Sequence, residues 1–102
     1  LAKRIGLKPE HELLEIGCGW GGFAEYAAKE VGCRVTGITI SREQHDFAKA
    51  RLAKAGLADR TDIRLEDYRD TKGTFDRIVS RAADVKDREL GQHLLRVVAG
   101  NL

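Results

Sequence analysis

Read for apolar and polar positions, the chain starts with the end of a helix at Leu1 to Gly6 and a turn at Lys8-Pro9-Glu10-His11, built on the only proline. Leu13 to Ile16 is a short apolar run between turn signals, the pattern of a buried strand. Gly17, Gly19, Gly21 and Gly22 break it sharply. Phe23, Ala24, Ala27, Ala28 and Val31 then recur at helical spacing, with Gly32 as the stop. Arg34 to Ile40 is rich in β-branched residues and predicts a second strand. Ser41 followed three residues later by Gln44 fits a capping box. The helix it opens carries Phe47, Ala48, Leu52 and Ala55 as its apolar stripe and closes at Gly56-Leu57. Ile63 and Leu65 alternate with polar neighbours as a third strand, and Phe75 to Ser80 form a fourth. Leu90, Leu94, Val97 and Val98 predict a last amphipathic helix ending near Gly100.

Strands that alternate with helices imply an α/β fold with a parallel sheet and right-handed crossovers. The 102 residues hold one domain, spanning 1–102. With 42% hydrophobic and 33% charged residues the composition is that of a soluble globular protein, and no run is long enough to span a membrane. There is no secretory signal, and the expected compartment is the cytoplasm. Basic and acidic residues are well mixed around a net charge of +2, which argues against nucleic acid as a partner; Lys49, Arg51 and Lys54 read as a solvated helix face. Cys18 and Cys33 form no disulfide framework, and His11, His45 and His93 show no ligand spacing with them, so no metal is expected. Cys18 reads as a small residue filling a tight turn, not as a nucleophile. The chain has no methionine and begins at Leu1, which suggests a fragment, a processed chain or a truncated gene product.

The chemistry concentrates in Gly17-Cys18-Gly19-Trp20-Gly21-Gly22, which follows a strand and opens a helix. Glycines there allow a tight turn and let a ligand approach the backbone, and the helix N-terminus offers unpaired N–H groups. The spacing also satisfies the dinucleotide fingerprint. A dinucleotide site, however, places an acid at the tip of the second strand for the ribose hydroxyls. That tip reads Ile38-Thr39-Ile40-Ser41, with no acid before Glu43.

Leu13-Leu14-Glu15-Ile16-Gly17-Cys18-Gly19-Trp20-Gly21-Gly22-Phe23, Gly37-Ile38-Thr39-Ile40-Ser41-Arg42-Glu43-Gln44, Leu65-Glu66-Asp67-Tyr68-Arg69-Asp70 and Phe75-Asp76-Arg77-Ile78-Val79-Ser80 together resemble the cyclopropane-fatty-acyl-phospholipid synthases and their mycolic-acid relatives. The resemblance covers roughly residues 1–80. It implies a partial Rossmann-like, S-adenosylmethionine-dependent methyltransferase fold with strand order 3-2-1-4. It also implies S-adenosyl-L-methionine as cofactor and an unsaturated lipid acyl chain as acceptor of a methylene group. Carried over by position, Glu15, Gly17, Cys18 and Gly19 line the methionine and ribose end of the cofactor. Thr39, Ile40, Ser41 and Gln44 hold the ribose and one adenine face, a capping-box partner being the lesser alternative for Gln44. Asp67, Tyr68 and Arg69 flank the adenine, Tyr68 standing where the mycolic-acid branch has tryptophan. Trp20 reads as packing or a substrate-side wall, and Ser80 as lying near the site.

After Ser80 the family carries a glutamate-bearing stretch of its bicarbonate-binding active site, whereas this chain reads Arg81-Ala82-Ala83-Asp84-Val85-Lys86-Asp87. No catalytic residue is therefore assigned, and a non-catalytic remnant that at most binds the cofactor stands beside the enzyme reading. In this fold class the fifth strand pairs beside the fourth; its absence here predicts a homodimer through the open sheet edge. The resemblance further implies a peripheral membrane contact for the parent enzyme.

Overall fold

A computed structural model describes residues 6–80. Residues 1–5 and 81–102 lie outside the described residues, and with them the upstream helix, the Arg81–Asp87 stretch and the helix expected around Leu90 to Val98. The first strand, β1 (Glu12–Ile16), is buried from Leu13 onward. Such a run suits a parallel strand covered on both faces. Next comes α1 (Gly22–Tyr26), which continues as a π-helical turn over Ala27–Val31 and stops at Gly32 in the left-handed region. Then follow β2 (Arg34–Thr39), α2 (Arg42–Lys54), β3 (Thr61–Leu65), a 3-10 turn at Tyr68–Asp70, and β4 (Arg77–Ser80).

All pairings are parallel, and the sheet order is β3-β2-β1-β4. This is the order the family resemblance implies. The register sets Val79, Glu15, Gly37 and Ile63 side by side in one row across the sheet. Registered neighbours point to the same face, and the next residue along points to the other. Two apolar layers result. One packs Leu13, Val35, Ile63 and Val79 under Phe23, Ala24, Ala27, Ala28, Ala48 and Leu52 of the helices. The other gathers Leu14, Ile16, Ile38 and Phe75, with Tyr68 and Ile78 packed against it.

Several boundaries differ from the pattern-based reading. The fourth strand begins at Arg77 because the residues before it are held otherwise. The Asp76 N–H donates to the Glu12 carbonyl at 2.8 Å, and its carboxylate accepts from the Glu12 N–H at 2.8 Å. Phe75 turns into the second apolar layer. β2 ends at Thr39, one residue early, since the Ser41 N–H folds back onto Thr39 Oγ1 at 3.1 Å. On α2 only Ala48 and Leu52 of the expected stripe are buried, while Phe47 and Ala55 are exposed. Ala48 packs on Gly21 of the loop after β1 and Leu52 joins the helix-side apolar layer, so the buried part of the stripe is narrow. No helix among the described residues is long and apolar enough to cross a membrane.

Candidate functional site at the carboxyl ends of the strands

The loop after β1 is anchored on β2. The Gly17 and Cys18 amides both donate to the Ile38 carbonyl, at 2.9 and 3.0 Å, so the chain leaves β1 by crossing over its neighbour. The Gly21 amide closes the turn on the Cys18 carbonyl at 3.1 Å, and Gly21 caps α1. Gly19 forms the crest, with φ 56° and no atom within 4 Å of the position a Cβ would take. A side chain there is strained and projects into the open space above the loop.

Beneath the crest the packing is tight. Cys18 is buried over β2, and a Cβ on Gly37 would lie 2.9 Å from both Cys18 Cβ and Ile63 Cδ1. Gly37 is thus the gap in the sheet row into which the loop settles, which is the use of a glycine in a strand interior. Glu15, its neighbour in that row, is fully buried. Burial first, and the Glu15 carboxylate second, push the Cys18 thiol up to about 11. The residue is a protonated packing group and not a nucleophile, as its place in the turn suggests.

At the tip of β2 the capping box forms by half. The Ser41 hydroxyl accepts from the Gln44 N–H at 3.2 Å. The Gln44 side chain does not return to the Ser41 N–H, which donates to Thr39 Oγ1 instead. The Thr39 hydroxyl in turn donates to Gln44 Oε1 at 3.0 Å. Thr39 is therefore a relay that fixes both partners, and Gln44 keeps its amide N–H groups as donors. Ile40 between them is 81% exposed at the strand tip.

β3 contributes the third segment. The Glu66 N–H donates to the Thr39 carbonyl at 3.0 Å, tying this segment to the tip of β2. Asp67 caps the 3-10 turn by accepting from the Arg69 N–H at 2.9 Å. Its carboxylate also takes the Arg69 guanidinium in a two-pronged contact, at 3.2 and 3.0 Å. The same guanidinium stands 5.7 Å from the centre of the Tyr68 ring. Asp67, Tyr68 and Arg69 thus form one unit, with Tyr68 partly buried against the second apolar layer.

The parallel register gathers the three segments at one end of the sheet, where Ile16 pairs Ile38 and Thr39 pairs Leu65. Ser80 lies opposite Ile16 at the same end. Trp20 is not enclosed: its ring meets Phe47 edge-on at 5.3 Å. Two residues were missed by pattern reading, Gly37 under the loop and Phe47 against Trp20. A glycine inside a β-branched strand was the available signal for the first.

The family model described as mycolic acid cyclopropane synthetase matches residues 1–87, extending past the four motifs. The cyclopropane-fatty-acyl-phospholipid synthase of Escherichia coli (strain K12) is 44% identical over 80 residues, covering 78% of this chain and 20% of that protein. Among solved structures, a mycolic acid cyclopropane synthase in its apo form superposes with a TM-score of 0.70 at 29% identity, over 76% of this chain and 29% of that one. A geranyl diphosphate methyltransferase in complex with SAM superposes with a TM-score of 0.68 at 32% identity, over 72% of this chain and 30% of that one. The chain spans about a fifth of the length of the curated relatives it matches.

Proposed function

The chain belongs to the mycolic acid cyclopropane synthetase family, and from that premise we propose that it is the S-adenosylmethionine-binding part of an enzyme that transfers a methylene carbon to an unsaturated lipid acyl chain. The observation that carries the cofactor reading is the Thr39–Ser41–Gln44 relay at the tip of β2. It presents hydroxyl and amide groups to a ribose where a dinucleotide site would present an acid. The open crest at Gly19 suits close approach of the ligand, and the exposed Ile40 and the Tyr68 ring offer apolar surface to a purine.

In this reading Glu15, Gly17, Cys18 and Gly19 bound the amino-acid and ribose end. Thr39, Ile40, Ser41 and Gln44 hold the ribose and one adenine face, and Asp67, Tyr68 and Arg69 flank the adenine. The bound cofactor supplies a methyl group made electrophilic by its sulfonium charge. The part of these residues is to bind and orient it, so that the acceptor meets a fixed methyl group. The lipid acceptor is supported by the relative whose name is cyclopropane-fatty-acyl-phospholipid synthase. A cytoplasmic location is supported by the two free, buried thiols, Cys18 and Cys33. Peripheral contact with a membrane follows from the lipid acceptor.

S-adenosylmethionine at a hundred times its dissociation constant is expected to stabilise the fold by about 2.7 kcal/mol through mass action. For a domain of this size that is a rise of roughly 10–20 °C in melting temperature. Gly19→Val removes the rise by filling the crest. An equal rise with NADH and none with S-adenosylmethionine overturns the assignment.

The reading includes a homodimer. Among the described residues β4 pairs only with β1, and an apolar strand edge of this kind recruits a second strand. Light scattering at micromolar concentration is expected to return twice the 11.3 kDa chain mass. A monomer mass rejects it.

A further inference from the structure

On the helix-covered side of the sheet, a cleft of about 490 Å³ lies between α1 and α2. Its lining is Glu25, Phe47, Ala50, Arg51, Lys54 and Ala55. Phe47, Ala50, Arg51 and Lys54 follow the i, i+3, i+4, i+7 rule, so one stripe of α2 supplies an aromatic ring, a methyl group and two cations in that order. Arg51 Nη2 reaches Glu25 Oε2 at 3.3 Å across the cleft. Lys54 has no carboxylate within ion-pair distance among the described residues, so two cations against one acid leave the cleft with a charge of +1. At the other end Phe47 and Trp20 are 53% and 51% exposed, and they contact each other edge-on.

Cations in the last turn of a helix are explained by the helix dipole alone. An exposed phenylalanine seven residues upstream on the same stripe, in edge contact with the exposed Trp20 of the loop after β1, is not. We propose that this cleft is a second binding site, for a single long-chain carboxylate. The carboxylate sits at Lys54 with the free edge of the Arg51 guanidinium, and the chain runs along Ala50 and Phe47 to end against Trp20. From Lys54 to Phe47 is about 10 Å along the helix axis, and the volume lies within the range of small-ligand sites, about 300–1,000 Å³. The apolar part of the stripe, Phe47 and Ala50, is one residue wide along α2, which suits a single chain. The charge selects an acid over a neutral lipid. The site borders the glycine loop through Trp20 and Phe47 but uses none of the residues assigned to the cofactor, so it stands whether or not that assignment holds.

Trp20 is the only tryptophan and its ring contacts Phe47 of the cleft lining, so it reports occupancy through that contact. Oleate, titrated below its self-association concentration into the 102-residue chain, is expected to give a saturable blue shift of Trp20 emission and a saturable heat by calorimetry. Lys54→Glu and Phe47→Ser each weaken binding about tenfold or more, and oleyl alcohol binds at least tenfold more weakly than oleate. Both variants sit on exposed positions, and their melting curves verify that they fold. Lys54→Glu retains its full thermal shift with S-adenosylmethionine, which separates failure of this site from failure of the cofactor site. No saturable signal by either method, equal binding of the alcohol, or indifference to both substitutions overturns the proposal. So does a response only to anionic phospholipid vesicles, which would make the surface a bilayer contact instead.

Discussion

Gly37→Ala is expected to lower the melting temperature by about 10 °C and to weaken S-adenosylmethionine binding with it. The added methyl group has nowhere to go: it meets Cys18 Cβ and Ile63 Cδ1, each at 2.9 Å. Ile63 Cδ1 is a side-chain tip, but a buried one, and Cys18 Cβ cannot swing away. Cys18 Cβ is one bond from a backbone whose amide is fixed on Ile38, and Ile63 is buried in the same sheet row. Overpacking of this kind costs about 1–3 kcal/mol, and each kcal/mol is worth roughly 4–8 °C in a domain of this size. The backbone at Gly37 is ordinary strand, so space alone is tested. Gly22→Ala is the matched control. Its Cβ would touch only the Arg51 guanidinium at 3.7 Å or beyond, in a helical position where alanine is favoured by about 0.5–1 kcal/mol. Thermal melts of the two variants, with and without S-adenosylmethionine, should therefore move in opposite directions. A Gly37→Ala protein that melts with the wild type would show that the loop does not depend on the gap in β2.

The two glycines mark what a one-dimensional pattern can and cannot carry. The break at Gly17 to Gly22 is local, so the strand, the loop and the first helix were all legible from neighbouring residues. The strand order was legible too, through the family resemblance, and the eleven candidate residues come together because parallel strands present their carboxyl ends at one edge. What escaped were contacts between residues distant in sequence. Periodicity puts Phe47 beside Ala48 and Leu52, but it cannot weigh a loop ring that draws Phe47 to the flank of the helix. The spacing of Ser41 and Gln44 announced a cap, yet the hydroxyl that completes it belongs to Thr39, whose role depends on where β2 stops. Phe75 looked like strand because it is apolar, while the hydrogen bonds of Asp76 with Glu12 decide that regular β4 begins later.

The relay and the Asp67–Tyr68–Arg69 unit share a logic. In each, a side chain at the end of a strand is held by its own near neighbours, so its orientation is set before any ligand arrives. Such preorganisation reduces the ordering cost of binding. The Asp67–Arg69 contact is solvent-exposed and adds little to stability by itself. Its value lies in geometry, since the same guanidinium engages the carboxylate and stands over the Tyr68 ring.

Cys18 is expected to react with an alkylating reagent about a hundredfold more slowly at neutral pH than an ordinary thiol. The thiolate is the reactive form, and raising the pKa from 9.0 to about 11 lowers its fraction by two powers of ten. Burial of the sulfur slows the reaction further, whereas the denatured chain should react at the normal rate. The same shift has a thermodynamic consequence whose sign is fixed. Below pH 9 the thiol is protonated in both folded and unfolded chains, and the group has no effect on the pH dependence. Between about 9 and 11 the unfolded chain loses the proton and the folded chain keeps it, so stability falls as pH rises. Two pKa units correspond to roughly 2–3 kcal/mol, or a drop of about 10–20 °C in melting temperature across that window. Cys33, also raised chiefly by burial, adds to the loss in the same direction. Melting curves of the wild type and Cys18→Ala from pH 8 to 11 isolate the contribution of Cys18, because the comparison is between slopes and not absolute stabilities. Parallel slopes, or rapid alkylation of the folded protein at pH 7, would show that the loop after β1 leaves the sulfur open to solvent and that Cys18 is not packed over Gly37.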